Sequence, residues 1–239
     1  ELVVFSGNYT ITNDLIFPEN KKIIFSPGLN FVVQKDKSIL VRSNLEIKGT
    51  ANKPVTIRNK VNGEPFGVLA VIGRDKFIDA SINHLKINGG SEASLEGIRY
   101  LGQISIHNAN VKILDSLIEG SNSDDGINIR DSKVLIQNST FKNNFADQID
   151  LDFCTGEVKN NLFIFEKDGV DFEINFNGDG LDLSGSKITI SKNKFSGFVD
   201  KALSIGEESK AFIIENKFDN NQSAITLKDG SKGFSLRNR

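Results

Sequence analysis

Asp179-Gly180-Leu181-Asp182-Leu183-Ser184-Gly185-Ser186-Lys187-Ile188-Thr189-Ile190-Ser191-Lys192-Asn193-Lys194-Phe195 holds two short runs of alternating apolar and polar residues, then a third run ending in Phe195. Period-two alternation over so few residues is strand chemistry, because a helix repeats its apolar positions every three or four. The pattern recurs on both sides. Ile104-Ser105-Ile106, Ile127-Asn128-Ile129, Ile149-Asp150-Leu151, Leu181-Asp182-Leu183, Leu203-Ser204-Ile205 and Ile225-Thr226-Leu227 start 23, 22, 32, 22 and 22 residues apart. The spacing of 32 is a period of 22 with ten extra residues, placed within 166–178. A second track follows the first as Val111-Lys112-Ile113, Val134-Leu135-Ile136, Ile188-Thr189-Ile190 and Phe234-Ser235-Leu236. A third ends on Ile118, Phe141, Phe163, Phe195 and Phe218.

Three short strands per period of about 22 residues describe a coil that cannot bury its own apolar side chains and must stack on its neighbours. Strand pairing then sets a rise of about 4.8 Å per coil, and equivalent side chains form ladders. Phe141, Phe163, Phe195 and Phe218 should lie over one another inside. The turn after the second track carries Asp115, Asn138, Asn160, Asn193, Asn216 and Asn238, residue types that accept left-handed geometry and bond to backbone. Residues 1–65 are less regular, although Ile11, Ile16, Ile23, Phe25, Phe31, Val33, Ile39, Val41, Leu45, Ile47, Val55 and Ile57 still mark closely spaced strands. They read as an N-terminal cap and irregular first coils, continuous with regular coils over 66–239. An uncovered strand edge templates association, so the break inside a coil at Leu236-Arg237-Asn238-Arg239 implies further chain or a capping partner.

The repeat Asp-Gly-Leu-Asp-Leu-Ser at 179–184, followed by Lys-Ile-Thr-Ile-Ser-Lys-Asn-Lys-Phe at 187–195, resembles the right-handed parallel β-helix superfamily that includes pectate lyases. The resemblance covers about 66–239. It extends more loosely to β-helix modules of bacterial surface proteins. It implies an all-β, single-stranded, right-handed solenoid of about eight to ten coils, the hand that parallel crossovers also favour. In that superfamily the substrate groove commonly follows the first track. The fold hosts many functions, so the reaction has to come from the side chains.

Lys and Arg number 29 and Asp and Glu 31 in 239 residues, a formal charge of −2 that does not supply the basic face a nucleic-acid partner needs. No apolar run approaches the roughly 20 residues of a membrane-spanning helix. The single cysteine, Cys154, excludes an intramolecular disulfide framework and reads as a buried small hydrophobe.

With the apolar residues of the first track inward, three ladders face outward: Ser105, Asn128, Asp150, Asp182, Ser204, Thr226; His107, Arg130, Asp152, Ser184, Gly206, Lys228; and Asp125, Asp147, Asp179, Lys201, Ser223. Aspartates stacked about 5 Å apart repel, by about 3 kcal/mol per charged pair at an effective dielectric near 20. Three relaxations stand open. Asp147, Asp150, Asp152, Asp179 and Asp182 could hold Ca²⁺, a cation that takes hard oxygen ligands. Asp150 and Asp182 could serve as catalytic acid or base with Arg130, Lys201 and His107 as the nearby basic groups. Or Arg130 and Lys201 could simply pair with Asp152 and Asp179. A pectin-hydrolase Gly-His-Gly is absent at His84 and His107, and two tyrosines with no tryptophan give few sugar-stacking platforms. The extra residues near 166–178 bring Asp168, Asp171 and Glu173 just before the strand of Asp182.

These features point to a secreted or surface module that binds a polysaccharide or cell-envelope glycan. A polysaccharide lyase, epimerase or hydrolase built on the aspartates, and a spacer with no ligand, are the alternatives.

Overall fold

The structure, a computed structural model, describes residues 2–122, 124–166 and 178–239. The chain winds through three parallel sheets of nine, ten and nine strands, one strand of each per coil over most of its length. One coil consists of Ile127–Arg130, Lys133–Gln137 and Thr140–Lys142, and the next of Ile149–Asp152, Thr155–Lys159 and Leu162–Ile164. We call the sheets first, second and third in that order. The molecule is a parallel β-helix, and no helix occurs among the described residues.

The register follows the sequence period. Ile104, Ile127, Ile149, Leu181, Leu203 and Ile225 pair successively in the first sheet. In the third sheet Ile118, Phe141, Phe163, Phe195 and Phe218 do the same. Three of the phenylalanine steps are nearly parallel stacks, with centroids 5.1, 4.4 and 5.3 Å apart. Strand spacing sets these distances, so the rings stack where isolated pairs would also tilt edge to face. At the N-terminal end Phe5 and Phe25 are register partners too, yet they meet edge to face, and Phe17 and Phe31 pack edge-on or tilted against them. The irregular first 65 residues nevertheless share the sheets of the rest: Leu2–Phe5 pairs with Lys22–Phe25, that strand with Leu45–Lys48, and that one with Ile78–Asn83.

Corners are built to one plan. After a second-sheet strand comes one residue in the left-handed region, then a polar side chain turned inward. Asn138, Asn160, Lys192, Glu215 and Arg237 take the first position, with φ between 53° and 57°. Ser139, Asn161, Asn193, Asn216 and Asn238 take the second. The backbone N–H of Asn161 donates to Asn193 Oδ1 (2.9 Å), that of Asn193 to Asn216 Oδ1 (2.9 Å), and that of Asn216 to Asn238 Oδ1 (2.8 Å). Each side-chain amide also donates to a strand carbonyl, as Asn193 Nδ2 does to Val158 O. The ladder therefore runs through Asn161, not Asn160, and continues upstream as Ser139 and Ser116. Asp115, Asn138 and Asn160 stand at the left-handed position before it, and they share its sequence pattern only because both corner positions favour Asn and Asp, for different reasons.

A second register correction falls at the last coil. Phe234 pairs with Phe212 and Leu236 with Ile214, so these are outward positions and both side chains are exposed. Gly233 and Ser235 occupy the inward positions, opposite Ala211 and Ile213. The sequence also shows no sign of an antiparallel hairpin, Ala93–Leu95 with Ile98–Tyr100, that leaves the coil. It lays Leu95 and Tyr100 over Leu40, Val68, Ala70 and Ile72, forming a small apolar cluster on the outer surface of the first sheet.

Candidate functional site

The outer row of the first sheet is Asn128, Asp150, Asp182 and Ser204, register partners in that order. The row points away from the core as the alternation requires, but it is not a solvent-bathed surface. Asn128 and Ser204 are buried and the two aspartates only partly exposed. Side chains stacked at strand spacing cover one another, and Asn128 Nδ2 donates to Asp150 Oδ2 across 2.8 Å. Asp150 Oδ1, Asp182 Oδ1 and Ser204 Oγ are each shielded from solvent with no hydrogen-bond partner among the described residues. Burial, and then the charges of Asp152 and Asp182, push the Asp150 carboxyl up to about 8, so it carries a proton at neutral pH. A protonated carboxyl donates as well as accepts, which removes the repulsion a charged stack would suffer.

Asp125, Asp147 and Asp179 form a separate row at the corner before the first sheet. Here the ladder runs the other way: Asp147 N donates to Asp125 Oδ1 (3.1 Å), Asp179 N to Asp147 Oδ1 (2.6 Å), and Lys201 N to Asp179 Oδ1 (3.1 Å). Burial and the neighbouring carboxylates hold Asp125 and Asp147 well above the usual carboxylate range. Burial also raises Asp179, against the pull of Lys201. Lys201 Nζ lies 3.1 Å from Asp179 Oδ1 and also meets Asp200.

The remaining candidates stand on the third outward row. Arg130 Nε is 3.9 Å from Asp152 Oδ2, and its guanidinium carbon lies 5.9 Å from the centroid of the Phe153 ring. Phe153 is half exposed, its φ is 53°, and its ring occupies the space a side chain on Gly185 would need. Burial raises Asp152 even beside Arg130. His107 lies further up the stack, its Nε2 3.1 Å from Ser105 Oγ and its ring 5.4 Å from that of Tyr100. Burial, then the charge of Arg130, lowers its basicity, so the imidazole is neutral.

The structure thus brings Asp150 and Asp182 together and sets Arg130 and Asp152 beside them. It ties Lys201 into the corner row and covers His107 with the hairpin tyrosine. The five carboxylates considered for calcium divide among three rows, and the described residues contain no group of three or more His, Cys, Asp or Glu side chains arranged to hold a metal ion. The ion-pair alternative is the one seen at Arg130 and Lys201. Asp168, Asp171 and Glu173 lie outside the described residues; Glu166, at the start of that stretch, pairs with Lys142 across 2.7 Å. Arg130 was legible in the sequence, and Phe153 beneath it was missed. Its signal was faint: a large aromatic residue where the other corners carry Asp131, Gly185 or Glu207.

Cys154 occupies a further corner ladder that the sequence reading did not extract. Ala109 N donates to Ser132 Oγ, Cys154 N to Ser186 Oγ, Ser186 N to Ser209 Oγ and Ser209 N to Ser231 Oγ. The thiol is buried, and burial pushes it up to about 12.

No protein-family model matches the sequence, and no curated protein matches it. Among solved structures the fold is similar to the enzymatically active domain of tailspike protein 2 of bacteriophage CBA120, with a TM-score of 0.56 and 10% identity. That alignment covers all of this chain and 38% of the tailspike domain, so the chain spans well under half of it. Weaker likenesses reach an alginate lyase from Paenibacillus (TM-score 0.31, 15% identity, 87% of this chain and 93% of that one) and the Streptococcus pneumoniae surface protein and adhesin PfbA (0.34, 10%, 100% and 90%). No helix among the described residues is long and apolar enough to cross a membrane.

Proposed function

We propose that the chain is a glycan-binding β-helix module of a secreted or surface-exposed protein, and that the outer face of the first sheet around Ile149–Asp152 is where the sugar lies. One observation carries this reading. The polar row Asn128–Asp150–Asp182–Ser204, with three shielded oxygens lacking partners among the described residues, runs beside an exposed ring, Phe153, held between Arg130 and Gly185. Sugar recognition asks for that pairing of an apolar platform with fixed polar groups. The shared tailspike fold supports an extended, repetitive surface and adds nothing on the ligand.

The dispersal of Lys201 and His107 away from Asp150 and Asp182 favours binding over catalysis. The neutral Asp150 carboxyl is the single feature that supports the enzymatic alternative, because a protonated acid beside a second carboxyl is the start of a general-acid site. A glycan array with the purified protein tests the proposal. At least one glycan class should be retained, and Phe153→Ala should lose it while unfolding at a similar temperature. Retention unaffected by Phe153→Ala and by Asp150→Asn/Asp182→Asn would put binding elsewhere. An empty array would leave the spacer reading. Turnover on a panel of polyuronates, abolished by Asp150→Asn, would replace binding with catalysis.

A further inference from the structure

The corner between the second and third sheets forms a lateral groove, and over the last three corners it is lined by Lys192, Lys194, Glu215, Lys217, Arg237 and Arg239. Among the described residues five cations face one acidic side chain. Lys194 and Lys217 are register partners, so their stems leave the sheet about 4.8 Å apart. Arg239 continues that row, its N–H bonded to Asn216 O and its carbonyl accepting from Phe218 N. Lys192, Glu215 and Arg237 stack alongside as the left-handed corner residues. Glu215 makes only long ion pairs, 3.9 Å to Lys192 and 3.6 Å to Arg237. Lys194, Lys217 and Arg239 have no ion pair among the described residues, and all five cations are exposed. Beneath them the backbone is pinned by the Asn193–Asn216–Asn238 ladder, whose first two members are buried, so the charges sit on a rigid rail.

The concentration is local. Upstream, the same groove is lined by residues such as Pro54, His84, Asp115, Asn138 and Thr140, a near-neutral set with Lys86 as its one lysine. In a chain of net charge −2 this groove thus carries three cations without an ion pair among the described residues, at the period of the coils.

We infer that this groove binds an extended anionic polysaccharide, its uronate, sulfate or phosphate groups engaging successive cations along the solenoid axis. The site is distinct from the first-sheet face and does not depend on it. A translationally repeated row of charges suits a polymer with a repeated anion. Among the described residues no aromatic side chain lines the groove, so they offer a single-stranded nucleic acid no base-stacking platform. A flexible acidic peptide would have to be ordered on a surface that offers it no apolar anchor.

The test is retention and fluorescence-polarisation binding of heparin, polygalacturonate, dextran, polyglutamate and single-stranded poly-dT to the intact chain. Heparin, polygalacturonate or both should bind, and the salt-insensitive neutral dextran should not. Lys194→Gln/Lys217→Gln should weaken binding at least about fivefold, the scale of two exposed charge contacts. Lys187→Gln/Lys210→Gln removes the same charge from a paired, exposed row on another corner and should change binding less than twofold. Glu215→Gln should tighten binding, because it frees the two cations it now holds. Absence of polyanion binding, equal loss in both lysine pairs, tighter binding of poly-dT or polyglutamate than of either glycan, or weakening by Glu215→Gln would each overturn the inference.

Discussion

Two stacked polar rows run the length of several coils, and they solve the same problem with different chemistry. At the corner after the second sheet, asparagine side chains lie over one another; at the corner before the first sheet, aspartates do. Each asparagine accepts from the backbone of the neighbouring coil and donates twice, to a carbonyl and to the next amide. Each aspartate accepts from the backbone and has nothing to donate unless it is protonated. The amide row is thus complete at any pH. The carboxyl row is complete only while its members keep protons or find a cation, as Asp179 finds Lys201. A solenoid can place any small polar side chain at a corner; what it places there decides whether the corner only holds the fold or also responds to its surroundings.

The largest effect expected from this comparison belongs to the amide row. Asn193→Ala removes the acceptor of Asn161 N and Nδ2 and the donor to Val158 O, all buried. Several buried groups left unsatisfied cost about 3 kcal/mol or more in total. Urea unfolding should show that loss. A loss under about 1 kcal/mol would mean that the ladder decorates the corner and does not hold it.

A smaller effect with a defined pH dependence belongs to the carboxyls. A carboxyl whose folded-state pKa is raised keeps a proton that the unfolded chain releases. For Asp150, raised from 3.8 to about 8, the folded state binds more protons throughout that window. Stability should fall as pH rises from about 4 to about 8, and then level off. Asp125 and Asp147, shifted in the same direction, steepen the fall. Asp150→Asn keeps an acceptor for Asn128 and removes the titration, so it should gain about 2 kcal/mol at pH 8 and almost nothing at pH 4. Melting temperatures of the two proteins across that range decide the matter. Parallel curves would show that Asp150 titrates normally and that the row is solvated.

The solenoid was legible because its inward residues are large and strictly periodic: Ile127, Ile149, Leu181 and Leu203 announce one row, and Phe141, Phe163 and Phe195 another. Register faltered where the core thins. Gly156 stands in the inward row between Val134 and Ile188, with Val134 O 1.9 Å from where a side chain would begin, so the sequence shows a gap where the coil shows a close approach. Phe234 and Leu236 look like core beside Gly233 and Ser235 and are not. The acidic surface was legible as a concentration of aspartates in separate rows, Asp150 and Asp182 on the strand and Asp125, Asp147 and Asp179 before it; that the second row bonds to the backbone of the next coil was not. Alternation tells in from out; it does not tell which carboxylate oxygens the backbone of the next coil will occupy. The hairpin over the first sheet left no periodic trace, because it belongs to one coil only.

The smallest effect tests the serine ladder, where one member is a thiol. Cys154 Sγ lies 3.4 Å from Ile129 O and 3.3 Å from Asp152 O, while Ser186 Oγ, one coil on, reaches the equivalent Leu151 O at 2.8 Å and Ser184 O at 3.1 Å. The position is therefore already shaped for a hydroxyl that bonds to two carbonyls. Cys154→Ser replaces a weak donor with a strong one and loses some apolar volume in a well-packed corner. These changes oppose each other, and stability should move by less than about 1 kcal/mol in either direction. The native thiol, buried and raised to about 12, should react with a thiol reagent only at the rate of unfolding. Fast labelling of the folded protein, or a loss above about 2 kcal/mol in Cys154→Ser, would show that this corner is not an interrupted serine ladder but a position that requires sulfur.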